Sequence, residues 1–214
     1  MTASDAVDTL LHGLYDRRNV EEAVSTLIGS HISRAGRIVG PVYVVGNGGD
    51  FREVAVPIAK SLGTSLAGVA CLWTHQMEYL RPDGRPAFSI PNECMERSKS
   101  AAPTLLFCQT IIATAEEMIA MISRVLNTRS AEAIVVSGIL MNADTKEELR
   151  SYFGTDIDID FYGIDVDQSL LDIRDAVFWA LDDRKVKVAP LVSRWLANRL
   201  FAPKPELKKA DGQG

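Results

Sequence analysis

The chain has 214 residues, of which 47% are hydrophobic and 24% are charged, and 28 acidic against 23 basic side chains give it a net charge of −5. These values are typical of a globular protein with one core and exclude a low-complexity disordered chain. The acidic surplus argues against nucleic acid as a partner. The apolar runs are much shorter than the roughly 20 residues of a membrane-spanning helix, so we expect no membrane partner.

The first residues of the chain contain neither a basic nor an apolar stretch. They therefore do not resemble a secretion signal, and we expect a cytoplasmic protein. The three cysteines, Cys71, Cys94 and Cys108, form no C-x-x-C pair. Their spacing predicts neither a disulfide nor a zinc site.

Apolar residues recur at helical spacing in two stretches, which predicts two N-terminal helices ending at about Ala35, the second capped by Asn19. From Arg37 onwards, short runs rich in Val and Ile predict buried strands at 41–45, 67–72, 104–109, 134–140 and 157–164. Segments with helical spacing lie between them at 51–62, 115–127, 144–153 and 168–181. This alternation predicts an α/β fold with a mainly parallel, doubly wound sheet.

One interval, residues 73–103, departs from this alternation. Its turn sequence Arg-Pro-Asp-Gly-Arg-Pro separates two strand-like stretches and predicts a β-hairpin that projects from the sheet. After Pro190 the pattern predicts an amphipathic helix, which either packs on the protein's own core or contacts a protein partner. The predicted organisation is a helical segment at 1–36, an α/β domain at 37–185, a C-terminal helix at 186–203 and a disordered tail at 204–214.

Two strand-to-helix turns contain the residues best suited to a ligand, because ligands of open α/β sheets bind beyond the carboxyl ends of the strands. Glycines allow an anion to approach the backbone closely, although a tight turn needs them equally. The first turn, after the strand at 41–45, consists of Gly46, Asn47, Gly48 and Gly49. The second turn, after the strand at 104–109, includes Gln109, Thr110, Thr114, Ala115, Glu116 and Glu117.

This order of strands and loops over residues 38–170 resembles the type I phosphoribosyltransferases, and most of all their uracil phosphoribosyltransferase branch. In that family a glycine-rich loop binds the diphosphate of phosphoribosyl diphosphate (PRPP), a hairpin follows, and a later Thr-Gly-Gly-Thr/Ser loop holds the 5′-phosphate. The resemblance implies the phosphoribosyltransferase type I fold, a homodimer and a nucleotide or nucleoside ligand. It assigns the two turns to the phosphates. Three weaker candidates lie near the expected cleft: His75 on the hairpin, and Arg85 of the hairpin and Asp165 after the last strand, which would assist an active enzyme.

At these positions the chain lacks the residues with which the family binds Mg²⁺ and phosphate. Gln109 and Thr110 stand where the family has carboxylates for the ribose hydroxyls and Mg²⁺, and Asn47 replaces a basic residue. Glu116 and Glu117 replace glycine and a hydroxyl residue, and a carboxylate repels a phosphate. The segment with which uracil enzymes hold the base is also not recognisable among residues 171–190.

The second turn also has the pattern of a helix capping box, Thr114-x-x-Glu117. In such a box the Thr114 hydroxyl accepts the backbone N–H of Glu117, and the Glu117 carboxylate accepts the backbone N–H of Thr114. We therefore expect the helix to fill its own anion site.

Acidic residues with calcium-loop spacing occur near the last strand, at Asp156, Asp158, Asp160, Asp165 and Asp167. The sixth loop position, which needs glycine, is Phe161, and a strand with its acids facing outward explains the alternation. The three histidines are scattered without ligand spacing. We expect no metal site.

These observations predict a phosphoribosyltransferase-like protein that has lost ordinary PRPP-dependent catalysis and acts as a binding, regulatory or assembly component. Two alternatives remain open. One is an active uracil-type phosphoribosyltransferase with a divergent phosphate loop, and the other is a nucleoside-binding protein. No cofactor is expected, and Mg²⁺ is expected only if the protein is catalytically active.

Overall fold

A computed structural model describes residues 1–154, 157–181 and 194–201. A short 3₁₀ turn at Gly63–Ser65 precedes the second strand. The helices of this part of the chain are α1 (Ala3–His12), α2 (Arg17–Ala35), α3 (Ala55–Ser61), α4 (Ala115–Leu126), α5 (Thr145–Phe153), α6 (Leu171–Leu181) and α7 (Arg194–Phe201). The strands are β1 (Val42–Asn47), β2 (Leu66–Leu80), β3 (Pro86–Met95), β4 (Thr104–Ile112), β5 (Ile134–Asn142) and β6 (Ile159–Val166).

The strands form one sheet in the order β3-β2-β1-β4-β5-β6. All neighbours are parallel except β2 and β3, which form an antiparallel hairpin. The predicted α/β fold, a mainly parallel, doubly wound sheet with a projecting hairpin, is confirmed. The chain runs from β1 to β2 on one side and returns to β4 on the other side of β1. This reversal creates a crevice at the carboxyl ends of β1 and β4, the usual ligand position in such sheets.

Alternating side chains of the central strands divide the core into two layers, because successive residues of a strand face opposite sides of the sheet. Val44 faces the layer built with α1, α2, α3 and α6, whereas Val45 faces the layer built with α4 and α5. Both valines are fully buried. The central strands are therefore covered on both faces, which explains why they are continuous apolar runs rather than alternating ones.

Two helix starts differ from the prediction. The second helix begins at Arg17 and its N-cap is Asp16, whose Oδ1 accepts the backbone N–H of Asn19 at 2.9 Å, so Asn19 is not the cap. The helix predicted over 51–62 is shorter, because the chain after Asp50 first turns back and the Asp50 carbonyl accepts the N–H of Val54 at 3.1 Å.

The hairpin is longer than the sequence pattern indicates, since β2 alone has 15 residues. Its turn is closed by a hydrogen bond from the N–H of Arg81 to the carbonyl of Arg85 at 2.8 Å. Gly84 has φ +79°, a conformation that glycine adopts without steric cost. The predicted turn is confirmed at this place.

The described part of the C-terminal helix packs on the chain itself. Leu196 is fully buried in the core layer that contains α1, α2, α3 and α6, and the guanidinium of Arg199 lies 2.8 Å from the Glu96 carboxylate. The predicted start of this helix before Arg194 and the predicted tail lie outside the described residues. Among the helices that are described, none combines the length and the apolar character needed to cross a membrane.

Candidate functional site

The Glu117 carboxylate organises the crevice at the carboxyl ends of β1 and β4. Its Oε1 accepts a hydrogen bond from the Thr74 hydroxyl at 2.5 Å and another from the Asn47 side-chain amide at 3.1 Å. The Asn47 amide also donates to the Thr74 hydroxyl at 2.7 Å. The glutamate is 1% exposed, so these bonds replace the water that a buried carboxylate loses.

Arg174 of α6 supplies the counter-charge. Its Nη1 lies 2.5 Å from Oε2 of Glu117, and its side chain is 6% exposed. The guanidinium also lies over the rings of Phe88 and Phe178, 5.4 and 5.6 Å from their centroids. Burial alone lowers the pKa of Arg174, but the carboxylates of Glu117 and Asp175 raise that pKa overall, so the guanidinium stays charged.

Two backbone N–H groups of the glycine-rich turn after β1 form hydrogen bonds within the protein. The N–H of Gly48 donates to the Leu72 carbonyl at 2.8 Å, and the N–H of Gly49 donates to the Asn47 side-chain oxygen at 2.9 Å. These are the groups that a diphosphate loop would offer to its ligand. Both N–H groups therefore already have an acceptor within the protein.

Two aromatic rings cover this turn. A β-carbon added at Gly48 would lie 2.2 Å from the indole nitrogen of Trp73, and one added at Gly49 would lie 2.4 Å from the ring of Phe178. At Gly46 an added β-carbon would lie 2.6 Å from the Ala55 methyl group. The sequence pattern left two explanations for these glycines, a tight turn or an anion. The structure shows a third, the close approach of aromatic side chains.

Below this turn, Asp50 is fully buried and accepts the backbone N–H of Thr110 through Oδ2. Burial raises the pKa of Asp50 to about 7, and the neighbouring Glu53 and Glu117 also act to raise it, while the hydrogen bond from the backbone N–H of Thr110 opposes the shift. Asp50 is a residue that the sequence analysis did not single out. The sequence places Asp50 directly after the glycine-rich turn, and this position could have marked it as a candidate site residue.

Gln109 and Thr110 are both fully buried in β4, so neither side chain faces an open site. The Gln109 amide contacts the Met121 sulfur at 3.2 Å, on the α4 side of the sheet. Within the described residues, Gln109 Oε1, Thr110 Oγ1 and Asp50 Oδ1 make no hydrogen bond.

The start of α4 confirms one half of the expected capping box and corrects the other. Thr114 is the N-cap, and its hydroxyl accepts the N–H of Glu117 at 3.3 Å. The carboxylate of Glu117 does not return to the N–H of Thr114, because Thr74, Asn47 and Arg174 bind it instead. Ala115 is buried and begins the helix.

Glu116 points away from this cluster, towards the hairpin. Its carboxylate lies 3.1 Å from Arg85, whose other nitrogen lies 3.2 Å from Glu148 of α5. An open cleft of about 680 Å³ lies between the hairpin turn and the starts of α4 and α5. The carboxylates that line it outnumber the arginines; they are Asp83, Glu116, Asp144, Glu147 and Glu148, against Arg81 and Arg85.

The remaining candidates from the sequence do not join the buried cluster. His75 is exposed on β2. Asp165 is exposed on β6, where it forms an ion pair with Lys146 at 2.7 Å. No group of three or more metal-ligating side chains occurs among the residues that the structure describes.

Besides Asp50, four side chains of this site were not predicted from the sequence: Trp73, Thr74, Arg174 and Phe178. A signal for one of them was present. Arg174 lies on the face of α6 that also carries Val177 and Leu181, and both are buried, as is Leu170 just before the helix. A single charge on a buried helix face predicts a buried partner.

The comparisons with known proteins concern the fold. No protein-family model matches the chain, and no curated protein matches its sequence. Among solved structures, the chain is similar to the AQ2163 protein of Aquifex aeolicus, with a TM-score of 0.59 and 9% identity over 83% of this chain and 94% of that one.

The chain is also similar to two phosphoribosyltransferase structures. For the APRTase of Giardia lamblia the TM-score is 0.48, with 13% identity over 78% of this chain and 99% of that one. For the adenine phosphoribosyl transferase of Trypanosoma brucei it is 0.49, with 14% identity over 86% of this chain and 80% of that one. Likeness at these identities concerns the arrangement of helices and strands and assigns no activity.

The two neighbouring glutamates of α4 form a matched pair for a stability measurement. Glu117→Gln leaves the Arg174 guanidinium buried beside a neutral amide, so we expect a loss of about 3–5 kcal/mol in the free energy of unfolding. Glu116→Gln removes a contact with Arg85, whose side chain is 48% exposed, so solvent screens this pair and the loss should be much smaller. Urea unfolding of both variants measures the difference, and equal losses would contradict the assignment.

The buried Asp50 predicts a pH dependence. Its pKa is about 7 in the folded chain against 3.8 as the ordinary value, so the folded state binds the extra proton between these pH values. The contribution of Asp50 to stability therefore falls as pH rises from about 4 to about 7. Asp50→Asn should remove this fall, so that the variant gains stability relative to wild type as pH rises. Parallel pH profiles of the unfolding free energy would refute the assignment.

Proposed function

We propose that this chain is a phosphoribosyltransferase-like protein without ordinary PRPP-dependent catalysis, and that it acts as a binding, regulatory or assembly component. The observation that carries the proposal is the buried Glu117–Arg174 ion pair at the carboxyl ends of the central strands. In this account the protein's own charges occupy the place that a phosphate would need.

The hydrogen bonds of the glycine-rich turn support the proposal. A diphosphate loop binds its ligand through free backbone N–H groups. Here the N–H groups of Gly48 and Gly49 are bound within the protein, and Trp73 and Phe178 lie against the same glycines. A diphosphate would have to break both hydrogen bonds and displace both rings.

The charge around the crevice also supports it. PRPP carries several negative charges and reaches such sites with Mg²⁺, which prefers carboxylate ligands together with the phosphates. The positions expected to hold the metal are the neutral Gln109 and Thr110, both fully buried. The carboxylates Glu116 and Glu117 lie instead at the start of α4, where they would repel a phosphate.

Calorimetric titration of the full chain with PRPP and Mg²⁺ tests the proposal. We expect no saturable heat of binding at ligand concentrations up to the millimolar range, and no release of diphosphate when uracil or another nucleobase is added. The protein's integrity is checked in the same sample by its cooperative thermal unfolding.

The active-enzyme alternative predicts the opposite result. Micromolar binding of PRPP by the wild-type chain, lost in a folded Gly48→Trp variant, would place the ligand on the glycine-rich turn and overturn the proposal. Diphosphate release that depends on a nucleobase would overturn it as well.

A further inference from the structure

The hairpin brings together two cysteines that lie 23 positions apart in the sequence. In the antiparallel pairing of β2 with β3, Cys71 lies directly opposite Cys94. The pairing is regular around them, with Ala70 opposite Met95 and Leu72 opposite Glu93. Both cysteines have free thiols.

The two thiols also lie on the same face of the sheet. Cys71 belongs to the core layer on the α2 side, and Cys94 packs against that same layer. Their neighbours Ala70 and Met95 belong to the opposite layer, as the alternation of strand residues requires.

The spacing of directly opposed residues suits a disulfide. Their Cα atoms lie about 4.5–5.5 Å apart in antiparallel sheets, inside the range of about 4.4–6.8 Å found for disulfides. The N–H of Glu96 donates to the carbonyl of the opposite residue, Val69, so Cys71 and Cys94, two positions along, also form a hydrogen-bonded pair, whose Cβ atoms lie about 5.5 Å apart. A disulfide needs about 3.5–4.5 Å, so the two strands must approach by about 1 Å or more at this point.

We propose that Cys71 and Cys94 form an oxidisable dithiol at the base of the hairpin, converted by a peroxide into an intramolecular cross-strand disulfide. The proposal goes beyond the sequence spacing, which predicts no disulfide, and it concerns a bond that forms only on oxidation, since both thiols are free in the structure. The third cysteine, Cys108, is fully buried in β4 and opposite Ser137 of β5, so it has no such partner there.

The reaction proceeds in two steps. Cys94 is the more exposed thiol; its thiolate attacks one peroxide oxygen, the O–O bond breaks, and Cys94 becomes a sulfenic acid while the other oxygen leaves as water or an alcohol. The Cys71 thiol then attacks the Cys94 sulfur, the S–S bond forms and the S–O bond breaks, and the oxygen leaves as water. The two thiols are oxidised by two electrons and the peroxide is reduced by two.

The rate should be slow at neutral pH. Burial raises the pKa of both thiols, and Glu93 adds to the effect at Cys94, so the thiolate is scarce. The rate should increase as pH rises, because the thiolate is the nucleophile. Once formed, the bond joins β2 to β3 two residues before Trp73, whose indole lies against the glycine-rich turn.

Mass spectrometry of the peroxide-treated full chain tests this proposal. Trypsin does not cut before proline, so both cysteines stay in one peptide, residues 61–97, whereas Cys108 lies in residues 100–124. After treatment, unfolding and alkylation, we expect the first peptide to be unalkylated and lighter by two hydrogens than its reduced form. The Cys108 peptide should be fully alkylated.

Two variants serve as controls. In Cys94→Ser, Cys71 should remain alkylatable after peroxide, and in Cys71→Ser, Cys94 should be trapped as a sulfenic acid by a dione reagent. Oxidation should raise the thermal midpoint of the wild type, reversibly with a reductant, and leave both variants unchanged. Full alkylation of both wild-type cysteines, or disulfides found only between two chains, would overturn the proposal. So would oxidation of Cys94 to a sulfinic acid while Cys71 stays free.

Discussion

The buried ion pair between Glu117 and Arg174 is the constraint on which the rest of the crevice depends. Transferring two charges out of water costs several kcal/mol for each ion, and a single contact between them does not recover that cost. Here hydrogen bonds from Thr74 and Asn47 and two aromatic rings around the guanidinium complete the solvation of both charges. The pair therefore connects β1, β2, α4 and α6 at one point.

This constraint explains the state of the neighbouring loops. The side-chain nitrogen of Asn47 donates to Glu117, and its side-chain oxygen accepts the N–H of Gly49. The glycine-rich turn therefore belongs to the same hydrogen-bond network as the ion pair. The hairpin is held at both ends, by Thr74 at the ion pair and by Arg85 on Glu116 and Glu148 at its turn. The crevice at the carboxyl ends of β1 and β4 is thus lined by side chains that are bound to one another. The cleft between the hairpin turn and the starts of α4 and α5 is lined by more carboxylates than arginines.

The sheet and its hairpin could be predicted from sequence because they depend on local signals: apolar runs of strand length, helical spacing between them, and the turn at 81–86. The two glutamates at the start of α4, Glu116 and Glu117, could be recognised as candidates for the same reason, because they follow a strand-to-helix turn. The partner of Glu117 could not be predicted, because Arg174 is 57 residues away and only the packing of α6 brings it close. The role of Gly48 was equally hidden, since it depends on the indole of Trp73 in the next strand.

A crystal structure of the protein grown with millimolar PRPP and Mg²⁺ tests the central claim most directly. The account predicts that the crevice contains only the protein's own side chains, with Arg174 on Glu117 and Trp73 against Gly48. Electron density for a phosphate on the backbone of Gly48 and Gly49, with Arg174 turned away from Glu117, would contradict it.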